Sequence, residues 1–168
     1  RHPNIVTIFD VAGDEDGLFL VMELLDAPDL WQWVGKRPVT PPDFFQIASG
    51  LMEALVAAHS QNLLHRDIKP ENVKVQHAHG GRLLAKLLDF GLARLEREAT
   101  MSGVAGHVVV GTPAYLSPEA LNHERANPAF DLWSLSVTFY EVLTGRRPFD
   151  AASQDELPAA IRAGQWTP

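Results

Sequence analysis

The sequence predicts a mainly α fold with a few short β-strands near its front. Two long stretches carry helical signals. One follows Thr40 and repeats apolar residues every three to four positions, and the other runs apolar from 132 to 143 before Gly145. The β-favouring runs are shorter. With 168 residues, of which 46% are hydrophobic, the chain is long enough to bury a core as one domain.

Four short runs predict two β-hairpins. Residues 5–9 and 18–22 are β-favouring and lie on either side of a polar turn at 13–17. Further along, 73–75 and 83–88 flank a Gly-Gly pair, which is typical of a tight turn between antiparallel strands. The strands are therefore expected as two separate pairs.

The clearest helix begins after Thr40. A threonine followed by Pro41 and Pro42 is a helix-start signal, because proline is tolerated in the first turn, where its missing N–H has no partner to lose. The apolar positions that follow at helical spacing are Phe44, Ile47, Leu51, Leu55 and Ala58. This pattern predicts an amphipathic helix with one buried face.

Two further helices are predicted towards the end of the chain. Residues 132–143 are apolar nearly all round, which predicts a buried central helix with Gly145 as its C-terminal cap. Ser153 and Glu156 have the spacing of a capping box for a last helix. Pro158 limits that prediction to the first turn.

Composition excludes several classes of protein. The chain has 14 Lys and Arg against 21 Asp and Glu, a formal charge of −7, so a nucleic-acid surface is disfavoured, since phosphate binding needs clustered basic side chains. No apolar run approaches the roughly 18 residues of a membrane span, so no membrane contact is expected within this segment. Cysteine is absent, which rules out disulfides and thiolate zinc sites.

The N-terminal residues carry no signal peptide, and the chain opens without Met, so we expect that the true N-terminus has been cut away. The expected location is cytoplasmic, either for the whole protein or for the cytoplasmic domain of a membrane-anchored parent.

Three motifs that carry chemistry occur in order. His-Arg-Asp-Ile-Lys-Pro-Glu-Asn occupies 65–72, Asp-Phe-Gly occupies 89–91 and Ser-Pro-Glu occupies 117–119. They match the H-R-D-x-x-x-x-N, D-F-G and A-P-E signatures of protein kinases. One triplet arises by chance in a chain this long with odds of roughly one in fifty, but the ordered set is a coincidence on the order of one in a billion.

On these motifs the chain resembles the eukaryotic-like protein kinases of the Ser/Thr type. The resemblance extends to the segments 2–6, 21–25, 111–115 and 131–135, so it covers essentially the whole chain. It implies a kinase-like large (C-terminal) lobe with a few short strands at its front. Residues 1–25 are expected to be the last strands of the small lobe and the hinge, and 26–168 the large lobe, with both ends truncated.

The resemblance implies a role for each residue of the catalytic motifs. Asp89 and Asn72 offer hard oxygen ligands suited to Mg²⁺, which bridges the phosphates of ATP. Asp67 accepts the proton of the substrate hydroxyl and aims its oxygen. Lys69 places an ammonium on the γ-phosphate, and in the family this lysine accompanies Ser/Thr specificity. The hydroxyl of Thr112 is expected near Asp67 and Lys69 and points to the same acceptor class.

The same resemblance places the nucleotide at the hinge. Adenine is expected to bind the Glu23 carbonyl and the Leu25 backbone, with Met22 as the gatekeeper behind it. Asp29 matches the carboxylate that takes the ribose hydroxyls. Lys74 departs from the family pattern, which has a large apolar residue beneath adenine; its aliphatic stem can pack there with the ammonium in solvent. This departure favours a bacterial enzyme.

The resemblance also implies which residues have regulatory and structural roles. Arg66, beside the catalytic aspartate, is expected to pair with a phosphorylated residue of the following loop, for which Thr100 and Ser102 are the candidates. Asp131 is expected to tie down the catalytic loop. Glu119 pairs in the family with an arginine further along the chain.

Three functions remain open from the sequence. The first is ATP- and Mg²⁺-dependent phosphorylation of Ser and Thr in proteins, with this chain as part of the enzyme. No G-x-G-x-x-G and no lysine before the hinge are present, so the chain alone is expected to be inactive. The second is a truncated, inactive relative that acts as a binding scaffold. The third, a small-molecule phosphotransferase, is disfavoured because such enzymes lack the segments at 111–112 and 117–119.

Overall fold

The computed structural model describes residues 1–14, 17–35, 39–90, 111–153 and 155–166. Within them, four strands form two separate antiparallel pairs, and more residues lie in helices than in strands. The strands are β1 (Ile8–Asp14), β2 (Gly17–Met22), β3 (Val73–His77) and β4 (Leu83–Leu87). The helices are α1 (Leu30–Val34), α2 (Pro41–His59), α3 (Pro118–Leu121), α4 (Pro128–Thr144) and α5 (Leu157–Arg162), with short 3-10 turns at Pro70–Asn72, His79–Gly81 and Pro113–Tyr115.

The first hairpin is present but begins later than predicted. Its first strand runs from Ile8 to Asp14, whereas the sequence predicted a strand over 5–9 and a turn from Gly13. Residues 5 and 6 pair elsewhere: the Val6 amide donates to the Leu87 carbonyl at 2.9 Å, and Ile5 bridges Leu87. The β propensity of residues 5 and 6 therefore reflects pairing with a distant strand rather than with β2, whereas the Thr7 carbonyl accepts from the Glu23 amide just after β2.

Helix α2 confirms its prediction. The Thr40 hydroxyl accepts a hydrogen bond from the Asp43 amide, and the prolines occupy the first turn. Its buried residues recur at helical spacing, most of them belong to the main core, and the helix packs against β4. They are Ile47, Ala48, Gly50, Leu51, Ala54, Leu55 and Ala58.

Helix α4 confirms the predicted central helix in part. Gly145 adopts a φ of 75°, and its amide donates to the Glu141 carbonyl at 2.8 Å, which ends the helix as expected. The prediction of burial all round was wrong, because Leu132 and Leu143 are 51% and 55% exposed. The buried face instead includes polar side chains, among them the fully buried Asp131.

Helix α5 corrects the prediction for the end of the chain. Glu156 is its N-cap residue and makes no side-chain capping hydrogen bond, so the expected capping box with Ser153 is not formed. Pro158 lies in the first turn, where a missing N–H costs nothing, and the helix continues to Arg162. The proline therefore marks the start of this helix and does not limit it.

Two hydrophobic clusters hold the described residues together. The larger one joins α2, β3 and β4 and includes Leu30, Ile68 and Phe90. The smaller one is formed by Ala114, Tyr115, Leu116, Leu121, Val137, Phe149, Leu157 and Ile161. None of the helices in the described part of the chain has both the length and the apolar character to cross a membrane.

The contact between Gly50 and Asn4 generates a test of this packing. Asn4 is 6% exposed, and its Nδ2 donates to the Ala85 carbonyl at 2.7 Å. A methyl group on Gly50 would overlap Asn4 Nδ2 and lie 3.1 Å from its Cγ. Overpacking of about 1–3 kcal/mol outweighs the roughly 1 kcal/mol that alanine gains in a helix, so Gly50→Ala is expected to lower the free energy of unfolding.

Thermal unfolding of the protein measures this change. Ser49→Ala, on the exposed side of the same helix, is the matched control and is expected to leave the melting temperature unchanged or slightly raised. A melting temperature that rises in Gly50→Ala would contradict the described contact with Asn4.

Candidate active site

A buried carboxylate holds the loop at 65–72. Asp131, on α4, is 0% exposed. Its Oδ2 accepts from the His65 amide at 2.9 Å and from His59 Nε2 at 2.8 Å, and its Oδ1 accepts from the Arg66 amide at 2.8 Å. The expected tie between Asp131 and this loop is therefore present, and His59 is a further partner that the sequence did not reveal.

The side chain of His65 is buried beneath the rest of the loop. Its ring lies 4.6 Å from the ring of Phe90 in an edge-to-face contact, and its Nε2 bonds the Leu88 carbonyl at 2.7 Å. Burial lowers the pKa of His65 even though Asp131 opposes this effect. A neutral ring with the proton on Nε2 accounts for both contacts, because Nδ1 then accepts from the Asp67 amide at 3.3 Å.

Three side chains from the loop and from 111–115 meet at Asp67. Lys69 Nζ lies 3.0 Å from Asp67 Oδ2 and donates to Thr112 Oγ1 at 2.8 Å. The Thr112 hydroxyl and amide both donate to Asp67 Oδ1, at 2.9 and 3.0 Å. Asn72 Nδ2 donates to Asp67 Oδ2 at 3.0 Å and to its carbonyl at 2.8 Å. The structure thus brings Asp67, Lys69, Asn72 and Thr112 into one hydrogen-bonded cluster.

The cluster keeps Asp67 ionised. Partial burial of the carboxyl group raises its pKa, but the hydrogen bonds from Lys69 and Thr112 and the charge of Lys69 outweigh this effect and hold the pKa of Asp67 below its usual range. The carboxylate is therefore present at neutral pH and is lost only when the pH falls below the ordinary range for aspartate.

Glycine is required at 111 for this arrangement. Gly111 has a φ of 126°, and a Cβ built on it would lie 2.8 Å from the Arg66 carbonyl and 2.9 Å from Leu116 Cδ2. Only a residue without a side chain can approach the loop so closely. This close approach is what delivers the next residue, Thr112, to Asp67.

Backbone pairing brings the segments of Asn72 and Asp89 next to each other. Both hydrogen bonds of Asn72 Nδ2 go to acceptors on Asp67, so the nitrogen faces Asp67 and Oδ1 faces away from it. The Leu88 amide donates to the Asn72 carbonyl at 2.9 Å. Asp89, the next residue, therefore lies close to the start of β3. Asp89 has a φ of 57°, a conformation that aspartate tolerates better than most residues.

These two oxygen donors fit Mg²⁺. In the described part of the chain, no three or more His, Asp or Glu side chains cluster closely enough to enclose a metal alone. Mg²⁺ is commonly bound by one or two protein oxygens together with phosphates and water, so a pair of donors suits it.

The segment after β2 is hydrogen-bonded to strand β3. The Val75 amide donates to the Pro28 carbonyl at 3.0 Å, and Asp29 bridges Lys74. Asp29 and Lys74, which are expected at ribose and adenine, are thereby held next to each other. Asp29 also caps α1, since its Oδ1 accepts from the Gln32 amide at 2.8 Å while its own amide donates to Gln32 Oε1. The capping box could have been predicted from the sequence and was not, and its hydrogen bond uses one of the two carboxylate oxygens of Asp29.

Two side-chain contacts near the site could not be predicted, because no local sequence signal marks them. His59 meets Asp131 across the fold, and Lys86 Nζ lies 2.6 and 2.8 Å from the carboxylate oxygens of Glu23, 63 residues away. Gly91, Thr100 and Ser102 lie outside the described residues, so phosphorylation of that loop and its pairing with Arg66 stay predictions.

The chain is similar to known proteins in sequence and in fold. A family model for the protein kinase domain matches residues 1–165. The serine/threonine-protein kinase Pkn1 of Myxococcus xanthus is 37% identical over 167 residues, covering 99% of this chain and 23% of that protein. The serine/threonine-protein kinase PkaA of Streptomyces coelicolor is 37% identical over 157 residues, covering 93% of this chain and 28% of that protein.

A solved structure shares the fold. The crystal structure of Rad53 1–466 in complex with AMP-PNP superposes with a TM-score of 0.78 at 30% identity and covers 99% of this chain and 40% of that one. The expectation of a mainly α, kinase-like large lobe is confirmed. The chain spans about a quarter of the length of the two bacterial relatives.

The hydroxyl of Thr112 is expected to help hold down the pKa of Asp67. Thr112→Val removes the hydroxyl with little change of shape, while Thr112→Ser keeps it. Carbon NMR titration of the Asp67 carboxyl group is expected to show a higher pKa in the valine variant and an unchanged pKa in the serine variant. Equal values in all three proteins would contradict the described hydrogen bond.

Proposed function

Because the chain belongs to the protein kinase family, we propose that this protein transfers the γ-phosphoryl group of ATP to Ser and Thr hydroxyls of other proteins. The match over residues 1–165 and the named relatives support this activity. The observation that carries the proposal is the cluster around Asp67, since it joins an ionised carboxylate, an ammonium and a hydroxyl within hydrogen-bond distance.

Asp67 orients the acceptor and takes its proton. The acceptor oxygen forms a bond to the γ-phosphorus while the bond from that phosphorus to the bridging oxygen of ADP breaks. The proton of the hydroxyl passes to the Asp67 carboxylate. A carboxylate with a lowered pKa is a weak base, so its main contribution is to aim the hydroxyl oxygen.

Lys69 and Thr112 prepare the same site for an aliphatic hydroxyl. Lys69 carries a positive charge beside Asp67, where it can neutralise an oxygen of the transferred group. Thr112 holds both Lys69 and Asp67 through one hydroxyl. Because these contacts fix the two charged groups before substrate binds, little reorganisation is needed at the moment of transfer.

The nucleotide lies between the hinge and the catalytic cluster. The Glu23 carbonyl and the Leu25 backbone bind adenine, with Met22 behind it and Lys74 beneath it. The second carboxylate oxygen of Asp29 takes a ribose hydroxyl. Asn72 Oδ1 and the Asp89 carboxylate hold Mg²⁺. Bound there, the ion offsets the negative charge of the phosphate oxygens.

Replacement of Asp67 tests the proposal. Asp67→Asn keeps the size of the side chain but removes the charge, and phosphate transfer to protein is expected to fall by about 10²–10⁴-fold, the usual contribution of a positioned base. Transfer from radiolabelled ATP by the full-length protein, to peptides that differ only in a Ser, Thr or Tyr acceptor, measures it. Asp155→Asn, at an exposed position before α5, is the matched control and is expected to keep full activity.

The acceptor series also decides between substrate classes. Labelling of the Ser and Thr peptides and not of the Tyr peptide is the expected result. Preferential labelling of small alcohols or aminoglycosides would favour a small-molecule phosphotransferase, and turnover retained in Asp67→Asn would refute the role of Asp67.

Replacement of Asp89 tests the metal site. Asp89→Asn keeps an oxygen ligand but removes its charge, so the Mg²⁺ concentration needed for half-maximal activity is expected to rise roughly tenfold or more, since even outer-shell changes weaken metal binding by about that factor. Titration of activity with Mg²⁺ measures this requirement. An unchanged Mg²⁺ requirement in Asp89→Asn would exclude Asp89 as a ligand.

A further inference from the structure

An ion pair joins the hinge to the strand before Asp89. Lys86 Nζ donates to Glu23 Oε1 at 2.6 Å and to Oε2 at 2.8 Å. The two side chains are only 12% and 23% exposed. The Thr7 amide donates to Glu23 Oε1 at 2.7 Å, and the Glu23 amide donates back to the Thr7 carbonyl at 2.9 Å. Glu23 is therefore held through both its carboxylate and its backbone.

The ion pair links two segments that are far apart in the sequence. Glu23 directly follows β2, at the start of the segment proposed to bind adenine. Lys86 lies on β4, three residues before Asp89. The pair thus connects the proposed adenine contacts with the strand that leads to a proposed metal ligand, and the chain between them is 63 residues long.

Glu23 also balances charge on the face of the β3–β4 pair. Lys74 and Lys86 lie directly opposite each other in the register of these antiparallel strands and therefore share one face. The alternate residues Val75 and Ala85 are 1% exposed on the other face. Two ammonium groups opposite each other repel, and Glu23 neutralises one of them. Lys86 in turn lowers the pKa of Glu23, which keeps the carboxylate charged.

Stabilisation alone does not account for such a contact. Partly buried ion pairs contribute little net free energy to folding, because desolvation of the charges offsets their attraction. An ion pair with two short hydrogen bonds and little solvent exposure instead fixes the distance between the two elements that it joins. Here those elements lie on the two sides of one proposed nucleotide site.

We propose that the Glu23–Lys86 ion pair is a positioning element of the nucleotide site, which sets the hinge backbone at a fixed place relative to β4 and so determines the affinity for ATP. The inference rests on the proposed function. Neither side chain touches the reacting atoms in this proposal. The effect of breaking the pair is therefore expected in the KM for ATP rather than in kcat.

Kinetics of the full-length protein test this. Glu23→Gln and Lys86→Met are each expected to raise the KM for ATP about tenfold, as misplaced binding groups do, with kcat changed less than about twofold. Because each change breaks the same contact, the double variant is expected to resemble the single ones rather than to multiply their effects. Lys86→Arg keeps the charge and is expected to retain the wild-type KM within about threefold.

Controls separate positioning from general damage. Glu53→Gln, at an exposed position on α2, is the matched control and is expected to leave both kinetic constants unchanged. A KM for ATP in Glu23→Gln and Lys86→Met equal to that of the wild type would overturn the inference. Multiplicative losses in the double variant, or equal losses of kcat in all variants, would overturn it too, because a merely structural role gives that pattern.

Direct binding of AMP-PNP, measured by calorimetry, distinguishes this inference from the proposed function. Weaker binding in Glu23→Gln and Lys86→Met than in the wild type and in Lys86→Arg supports the positioning role. Equal binding in all four proteins, with normal wild-type turnover, overturns the positioning role and leaves the proposed function intact. A wild-type protein that neither binds AMP-PNP nor labels protein overturns both.

Discussion

The position of the catalytic loop depends on one buried carboxylate. Asp131 has no access to solvent, and three N–H donors from two segments of chain satisfy it. A charge placed in the interior is costly unless it is hydrogen-bonded, so the loop and His59 must sit where their donors reach Asp131. Arg66 consequently adopts a φ of 71°, and the Asp67 amide is directed at the His65 ring.

From this anchor the site extends outwards by short contacts. Asp67 receives hydrogen bonds from Asn72 on one side and Thr112 on the other, and the approach of Thr112 depends on a glycine that passes the Arg66 carbonyl. Leu88 is held to the loop through both its amide and its carbonyl. The proposed catalytic groups are thus fixed by backbone and buried partners, which is the condition for electrostatic stabilisation without reorganisation.

Much of the fold could be predicted where the signal is local. Thr40 with two prolines predicted the start of α2, and Gly145 predicted the end of α4, because caps act within one turn of a helix. The prediction failed for residues 5 and 6, whose partner is Leu87, and for Pro158, whose position in the first turn depends on where α5 begins. Exposure of Leu132 and Leu143 was not predictable from an apolar run alone.

The sequence by itself determined the family and the residue types of the proposed site, because the three ordered motifs are too specific to arise by chance. Only the tertiary structure decided which atoms meet: that Thr112 bridges Lys69 and Asp67, that His59 shares Asp131 with the loop, and that Glu23 pairs with Lys86. The physical reason is the distance along the chain over which each kind of interaction acts. Backbone preferences and caps act over a few neighbouring residues, whereas a hydrogen bond between groups 63 or 72 residues apart exists only after the core has packed the elements that carry them.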